Sequence, residues 1–312
     1  MTERTAPGKV ILFGEHAVVY GKPAVAVPVH STRARAQVVD LPDAPAGWVR
    51  LEATGTQLSS WLHEMPEANP LATAVRLILQ DLGHNLGSAL RVTIESEIPV
   101  GAGMGSSAAV SVAVLRAVAA HLGQEFSAER VSDLAFNVEK LQHGTPSGID
   151  NTVVAYERPL YFISGQPPQF LQVGRPFTLM IGDSGDRLPT RESVAAVRER
   201  RAADPQSVDR LFAEIAAISE QGRRLIESGD THQLGPLLDR NQTLLKAIGV
   251  SGKGLEELIR AAKRAGALGA KLSGAGRGGI MIALVEPASA EAVGIALREA
   301  GATRTIRTEV AA

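Results

Sequence analysis

The chain has no cysteine among its 312 residues, which excludes disulfides, thiolate metal sites and a cysteine nucleophile. Its net charge is only −1, so it lacks the basic footprint of a nucleic-acid-binding protein. No apolar run reaches the roughly eighteen residues of a membrane span. The first residues, MTERTAPGK, lack the apolar core of a signal peptide. We therefore expect a cytoplasmic protein that binds neither nucleic acid nor a membrane.

The chain is long enough for two domains, because 312 residues exceed one ordinary core. A Gly/Pro-rich stretch at residues 165–176 is typical of a linker. We predict an N-terminal domain over residues 1–170 and a C-terminal domain over residues 171–312. When consecutive helices are counted as one helical segment, the second half has the order β-α-β-β-α-β, which is that of a ferredoxin-like domain. The predicted class is α+β.

Hydrophobic periodicity predicts the elements around the candidate motifs. Residues 9–13 form a short apolar strand, and residues 24–29 and 32–39 are predicted as a pair of strands. Residues 89–98 alternate apolar and polar side chains like a half-buried strand, and residues 106–122 are typical of a helix of small and branched apolar residues.

A glycine-rich stretch, PVGAGMGSSAA at residues 99–109, joins that strand to that helix. Its glycines permit positive φ and close approach of the backbone to a ligand. Amides at a helix N-terminus favour an anion, and serine hydroxyls can bond phosphate oxygens or complete a Mg²⁺ shell. The alternative is an ordinary turn with a serine cap. The predicted phosphate-binding residues are Pro99, Gly101, Ala102, Gly103, Met104, Gly105, Ser106, Ser107 and Ala108.

A second glycine cluster, KLSGAGRGG at residues 271–279, contains the spacing G-x-G-x-x-G. It precedes a predicted strand, whereas the dinucleotide-binding motif must open a helix. The first loop lacks the acidic residue expected about twenty residues later. SGK at residues 251–253 lacks the rest of a Walker A motif. A nucleotide bound to this chain would therefore use none of these common frameworks.

Two carboxylates and an isolated lysine add chemistry to the phosphate loop. Glu139 lies at the margin of an apolar helix stripe, where an ionised carboxylate needs a partner or a metal. Asp150 follows a Gly-Thr-Pro-Ser-Gly turn, and Lys9 stands in the early apolar strand. The alternatives are a rim salt bridge for Glu139 and a turn or cap role for Asp150. Together the residues suggest phosphoryl transfer, which needs positioned phosphates, a metal and a group that orients the attacking hydroxyl.

Residues 6–21, APGKVILFGEHAVVYG, resemble the N-terminal signature of mevalonate kinases, a family of the GHMP kinase superfamily. The three motifs of that superfamily appear here in order, as the strand with Lys9, the loop at residues 101–107 and the cluster at residues 271–279. A galactokinase would show a GEHTDY-like first motif, and homoserine kinases lack the GEHAVVYG form. Arg277 departs from the pattern, since glycine is usual at that place.

Two further segments resemble the mevalonate branch. They are HGTPSGIDN at residues 143–151 and DSG at residues 183–185 with Thr190 and Arg191. The resemblance spans nearly the whole chain. It implies the GHMP kinase fold, with an N-terminal α/β nucleotide-binding domain and a ferredoxin-like C-terminal domain.

The resemblance also implies a reaction, the transfer of phosphate from ATP to (R)-mevalonate, giving 5-phosphomevalonate and ADP with Mg²⁺ as cofactor. In this family pattern Asp150 matches the catalytic aspartate and Lys9 the lysine beside it. Glu139 and one of Ser106 or Ser107, of which we favour Ser107, match the Mg²⁺ ligands. The implied substrate-binding residues are Lys9, Glu15, His16, Asp150, Thr190 and Gly276.

Several alternatives stay open at this stage. The same fold could serve another small hydroxyl substrate, as in a mevalonate 3-kinase, a phosphomevalonate kinase or a sugar kinase. A phosphorylated acceptor would call for an additional basic cluster, and none stands near Glu15 and His16 in the sequence. A non-catalytic binding module would predict erosion of Lys9, Glu139 or Asp150, which are all present. Relatives commonly form homodimers, and we expect the same here.

Overall fold

A computed structural model describes residues 1–55, 57–83, 86–143 and 146–311, without the side chains of residues 142–143. Of the HGTPSGIDN segment, residues 144–145 therefore lie outside the described residues. The contacts divide the chain into two compact units. Unit 1 contains Met1–Gly8, Thr32–Pro99 and Gly105–Glu157, and unit 2 contains Lys9–Ser31, Val100–Met104 and Arg158–Ala312.

The strands and helices are numbered in chain order. The strands are β1 Thr2–Phe13, β2 Ala24–Leu41, β3 Val49–Ala53, β4 Leu58–Trp61, β5 Ala89–Ser96, β6 Leu160–Phe162, β7 Gln169–Phe170, β8 Phe177–Asp183, β9 Gly269–Ser273, β10 Ile280–Val285 and β11 Arg304–Val310. The helices are α1 Pro70–Leu82, α2 Ser106–His121, α3 Ala128–His143, α4 Ile149–Tyr156, α5 Thr190–Ala203, α6 Pro205–Ser228, α7 Leu234–Ala247, α8 Lys253–Arg264 and α9 Ala290–Glu299. None of the described helices combines the length and the apolar character that crossing a bilayer requires.

Unit 1 packs four helices with strands of one sheet. There β3 lies between β4 and β5, parallel to β5, and β5 runs antiparallel to β2. Helix α2 contacts α1, α3 and α4, and its small residues are buried over most of its length. Asn69 caps α1 through two backbone amides, with Pro70 at the first helical position and Gly83 at the end. The serines at the start of α2, Ser106 and Ser107, are partly buried.

The second half of the chain gives unit 2 a four-stranded antiparallel sheet in the order β11-β8-β10-β9. Four helices separate β8 from β9, and α9 separates β10 from β11. When the four consecutive helices are counted as one helical segment, this is the β-α-β-β-α-β order that the sequence predicts. All residues of β8, β9 and β10 are buried, which suits strands covered on both faces. The predicted ferredoxin-like domain is confirmed.

Two predictions of local structure were wrong. Residues 24–29 and 32–39 form a single strand, β2, and β1 begins at Thr2 and not at Lys9. Alternation breaks at the exposed residues His30 and Ser31, but the backbone stays extended because each end of β2 has its own partner. Ala24–Ala26 pair with β6, and Ala34–Leu41 pair with β5. Pairing with β5 and β6 therefore keeps the backbone of β2 extended, although the alternation of apolar and polar residues is interrupted at His30 and Ser31.

Candidate active site

A tight turn after β1 presents Glu15 and His16. Gly14 has φ +100°, and an added Cβ would lie 2.4 Å from the Cα of Ala24, so only glycine fits there. Glu15 and His16 follow at once and are both buried. Unit 2 therefore places two titratable side chains of the first motif away from water.

Glu15 forms a buried ion pair with Lys271, whose Nζ also donates a hydrogen bond to the Leu272 carbonyl. The two side chains are 1% and 0% exposed. Burial raises the pKa of Glu15, while the positive charges of Lys271 and Lys9 lower it. Burial lowers the pKa of Lys271, and Glu15 opposes that shift. Glu15 Oε2 is buried without a hydrogen-bond partner among the described residues, so this carboxylate keeps one acceptor for a ligand.

His16 is held in a backbone conformation that few side chains adopt, with φ +61°. Its Nε2 lies 2.9 Å from the Ala275 carbonyl oxygen, which makes Nε2 the protonated donor. Burial lowers the pKa of His16 to about 4, Ala275 opposes the shift and the charge of Arg277 adds to it. His16 is therefore a neutral, oriented imidazole near pH 7.

Lys9 lies in β1 and is 3% exposed. Its backbone amide donates to the Met104 carbonyl at 3.0 Å. Two residues after Lys9, the backbone of Ile11 bonds to the side chain of Ser273. The Ile11 amide donates to Ser273 Oγ at 2.9 Å, and this hydroxyl donates to the Ile11 carbonyl at 3.0 Å. Strand β1 is thereby bonded to the phosphate loop and to β9 within unit 2.

The first half of the phosphate loop, Val100–Met104, packs on the third motif. Gly103 has φ +85°, and an added Cβ would lie 3.6 Å from the Ser273 carbonyl oxygen. An added Cβ at Gly279 would lie 2.7 Å from the Ala102 carbonyl oxygen. Glycine is required at residue 279 because the two backbones approach closely, and it is favoured at residue 103 because of the positive φ.

The turn of the third motif contains Gly276 and Arg277, both at positive φ. An added Cβ at Gly276 would lie 2.1 Å from the Val250 carbonyl oxygen, which also accepts from the Arg277 amide at 2.6 Å. The Arg277 Nε donates to the Gly249 carbonyl at 3.2 Å. The side chain that departs from the family pattern is thus bonded to the segment after α7.

Thr190 is the first residue of α5 and is exposed. Ser193, one turn later, is fully buried and its Oγ donates to the Gly276 carbonyl at 3.4 Å. This bond places the start of α5 next to the third motif.

Unit 1 holds the rest of the phosphate loop, from the glycine that opens α2. Gly105 has φ +71° and Ser106 and Ser107 form the first turn of α2, with Ala108 buried behind them. Pro99 ends the segment that follows β5. The strand, glycine loop and helix therefore follow in the predicted order, with amides and hydroxyls at the helix start.

Glu139 and Asp150 also lie in unit 1. Glu139, in α3, is 6% exposed, which agrees with its position at the edge of the apolar stripe. Asp150 is in the first turn of α4, half-buried, after Gly148 with φ +87°. Asn151 Nδ2 donates to the Ser132 carbonyl at 3.1 Å and to its hydroxyl oxygen at 2.9 Å, which ties α4 to α3. The sequence did not predict α4, because it is short and follows a run of turn residues.

The candidate residues thus form two groups. Unit 2 brings together Lys9, Glu15, His16, residues 100–104, Thr190 and Gly276, and unit 1 contains Pro99, residues 105–108, Glu139 and Asp150. Sequence analysis gave Lys271 no role of its own. A lysine inside an otherwise apolar strand was the available signal, since such a charge needs a partner. Within the described ranges no three His, Asp or Glu side chains form a metal-binding group by themselves.

Comparisons with known proteins identify the family and the fold. The profile described as "GHMP kinases N terminal domain" matches residues 69–158, and "GHMP kinases C terminal" matches residues 223–303. A mevalonate kinase of Pyrococcus horikoshii is 38% identical over 320 residues, covering 95% of this chain and 92% of that protein. The crystal structure of L. major mevalonate kinase in complex with R-mevalonate is 28% identical, with TM-score 0.86, and covers 100% of this chain and 96% of that one.

A mevalonate kinase structure from Methanococcus jannaschii shares the fold with TM-score 0.87 at 24% identity, covering 99% of this chain and 98% of that one. The sequence similarity and the shared fold extend over nearly the whole chain, and the two family profiles match more than half of it. The predicted superfamily and fold are therefore confirmed, and this chain belongs to the mevalonate kinase family of the GHMP kinases.

Proposed function

We propose that this protein transfers the γ-phosphoryl group of ATP to the 5-hydroxyl of (R)-mevalonate, giving 5-phosphomevalonate and ADP in isoprenoid precursor synthesis. One observation carries the proposal, the 38% identity to a mevalonate kinase over 95% of this chain. The first motif supports it, because Glu15 and His16 are buried next to charged side chains, with Lys271 and Lys9 near Glu15 and Arg277 near His16.

The acceptor hydroxyl is a weak nucleophile, but a loose phosphoryl-transfer transition state needs its orientation more than its full deprotonation. Asp150 orients this hydroxyl and accepts its proton late in the transfer. Lys9 stabilises the negative charge that shifts on the γ-phosphate. The amides of the phosphate loop and the start of α2 bind the ATP phosphates.

The mevalonate pocket is proposed to include Glu15, His16, Thr190 and Gly276. The unpartnered Glu15 Oε2 accepts a hydrogen bond from a substrate hydroxyl. The neutral His16 adds a polar group without adding charge. Gly276 contributes a backbone surface, and Thr190 contributes an exposed hydroxyl at the start of α5, the helix whose Ser193 bonds to the Gly276 carbonyl.

Mg²⁺ fits the residues of unit 1. This ion usually binds one or two protein oxygens together with phosphate oxygens and water, and does not need a cage of three protein carboxylates. Glu139 supplies a buried carboxylate in α3, and Ser107 supplies a hydroxyl in α2, which packs on α3. When bound with ATP, the ion neutralises charge on the phosphates. Glu139 and Ser107 are the proposed ligands.

A coupled assay of ADP release tests the proposal. Mevalonate, phosphomevalonate, homoserine and galactose are compared as acceptors at equal concentration, and the position of the new phosphate is read by NMR. Turnover with mevalonate alone, and phosphate on the 5-oxygen, is the expected result. Phosphate on the 3-oxygen, or faster turnover with another acceptor, identifies a different kinase of the same fold. ADP binding without turnover identifies a binding module.

Replacing Glu139 with glutamine is expected to raise the Mg²⁺ concentration for half-maximal rate about tenfold, the effect of losing one charged contact. The fold stays intact, and additional Mg²⁺ recovers part of the rate. Titration of Mg²⁺ at saturating ATP measures this. Glu129→Gln on the exposed side of the same helix is the control. Unchanged Mg²⁺ dependence in Glu139→Gln removes Glu139 from the ligand set and leaves it as a rim ion-pair residue.

Replacing Gly103 with valine is expected to weaken ATP binding about tenfold, because a β-branched residue disfavours φ +85° by about 1–3 kcal/mol. Mevalonate binding changes less. Gly105→Val, at φ +71°, is expected to act in the same way. Gly165→Val is the matched control, since that glycine has φ +79° and open space around it. Equal ATP affinity in Gly103→Val and the parent protein would show that the loop is only a turn.

A homodimer, a cytoplasmic location and the boundary between residues 170 and 171 stay predictions. Sedimentation analysis of the purified chain measures the first of these. A mass of twice 32.8 kDa is the expected result for the dimer.

A further inference from the structure

The segment between β8 and α5 contains an arginine that the proposed reaction does not use. Arg187 forms a two-pronged ion pair with Asp183, with Nη1 and Nη2 at 2.8 and 2.7 Å from the two carboxylate oxygens. Asp183 is 3% exposed and also accepts the Gly185 amide at 3.0 Å. The hydrogen bonds to Asp183 raise the pKa of Arg187, so its guanidinium stays charged. The plane of the guanidinium is therefore fixed at the end of β8.

The remaining edge of that guanidinium faces the phosphate loop. Arg187 Nε donates to the Val100 carbonyl at 2.9 Å. Its Cδ lies beside Gly101, at 3.3 Å from where a Cβ would stand. Val100 is 79% exposed, so packing of its side chain against other residues does not fix the conformation of this part of the loop. Among the described residues, the hydrogen bond from Arg187 Nε is the contact that fixes the direction of the Val100 carbonyl at the start of the loop.

The same segment is bonded to the third motif. The Asp186 carbonyl accepts the Gly279 amide at 2.9 Å, and the Ser184 amide and hydroxyl both donate to the Gly279 carbonyl at 2.9 Å. Gly279 in turn packs on Ala102, as its close approach to that carbonyl shows. Residues 183–187 therefore contact the phosphate loop directly through Arg187 and indirectly through Gly279.

We propose that Arg187 is a positioning residue that orders the first half of the phosphate loop for ATP, acting through Asp183 and the Val100 carbonyl. A loop rich in glycine has many conformations when free, and ordering it costs free energy when the nucleotide binds. A loop that is already ordered avoids part of that cost. The inference rests on the proposed function only in assigning ATP phosphates to the loop.

Arg187→Lys separates geometry from charge. Lysine keeps the positive charge, but it lacks the planar fork that binds Asp183 with two nitrogens while a third reaches Val100. The side chain is 36% exposed, and the retained charge still faces the buried Asp183, so the variant is expected to fold. Arg201→Lys is the control, because Arg201 on α5 also forms a two-pronged pair, with Asp209 on α6, and this pair has no hydrogen bond to the phosphate loop among the described contacts.

Calorimetric titration with ADP and with adenosine measures the effect. We expect the Kd of ADP to rise about tenfold in Arg187→Lys, the loss that follows from one charged hydrogen bond. The Kd of adenosine, which has no phosphate, stays at the parent value. In steady-state assays KM for ATP rises while KM for mevalonate and the melting temperature stay close to the parent. Arg201→Lys changes none of these.

Two results overturn the inference. An ADP affinity within twofold of the parent in Arg187→Lys shows that the loop does not need this contact. An equal loss for ADP and adenosine shows general damage and not loop positioning. A parent protein that binds ADP but does not phosphorylate mevalonate contradicts the proposed function, and the ADP comparison still decides the role of Arg187. A parent that binds no ADP contradicts both.

Discussion

Replacing Asp150 with asparagine is expected to lower turnover at least ~100-fold, the usual loss for a positioned acid–base group. This corresponds to about 3 kcal/mol of transition-state stabilisation. Asparagine keeps the size and most of the hydrogen-bonding shape, but it cannot accept the proton of the acceptor hydroxyl. Steady-state kinetics with saturating ATP and mevalonate measures the change. ADP affinity, measured by calorimetry, is expected to stay near the parent value.

The competing role for Asp150 is that of an acid in the first turn of α4, where a negative charge stabilises a helix by about 0.3–1 kcal/mol. Glu291→Gln is the control for that role, since Glu291 is an exposed acid in the first turn of α9. If both variants lose similar stability and Asp150→Asn keeps more than about a tenth of the parental turnover, well inside the ~100-fold loss expected, Asp150 takes no part in the chemistry.

Replacing Lys271 with methionine is expected to destabilise the protein by about 3–5 kcal/mol, the cost of leaving one member of a buried ion pair alone. Both members are buried, and Glu15 Oε2 already lacks a hydrogen-bond partner among the described residues, so the variant leaves a buried carboxylate that keeps the charge of Lys9 nearby but loses its direct ion pair. Urea or thermal unfolding of the variant and the parent measures the difference.

The pH dependence of that variant has a definite sign. Burial raises the pKa of Glu15, and removing Lys271 removes the largest influence that lowers it. A carboxyl whose folded-state pKa lies above its unfolded value stabilises the fold at low pH, and this stability is lost as pH rises through the folded-state pKa. The variant is therefore expected to lose less stability at pH 5 than at pH 8.

A double-mutant cycle isolates the pair. Glu15→Gln together with Lys271→Met removes both charges, and it is expected to recover part of the stability that Lys271→Met alone loses. Equal losses at both pH values, with no recovery in the double variant, would mean that the cost comes from packing and not from an isolated carboxylate.

The sequence by itself determined the family, the order of elements in the second half and the motif residues. These follow from local features. The glycine loop needs only a few consecutive residues that permit positive φ, and Gly101, Gly103 and Gly105 adopt such angles. The position of Glu139 at the edge of a helix stripe also follows from the 3.6-residue period, and its burial confirms the expectation. The roles of Asp150 and Glu139 stay proposals.

Only the tertiary structure decided what each of these residues contacts. Strand β2 stays continuous through His30 and Ser31 because its two ends pair with β5 and β6, and no local pattern specifies such pairing. Each compact unit is made of three separate segments of the chain, whereas the sequence predicted one boundary, between residues 170 and 171. A one-dimensional pattern cannot show which segments share a core.

The partners of the buried charges are likewise a tertiary result. Glu15 and Lys271 are 256 residues apart, and Arg187 and Val100 are 87 residues apart. The sequence shows that a buried lysine needs a counter-charge, but many acids satisfy that requirement. Which acid pairs with the lysine depends on the packing of β1 against β9, and the partner of Arg187 depends on the contact between the segment after β8 and the phosphate loop. A hydrogen bond requires its two atoms within about 3 Å, and only the tertiary structure brings these atoms that close.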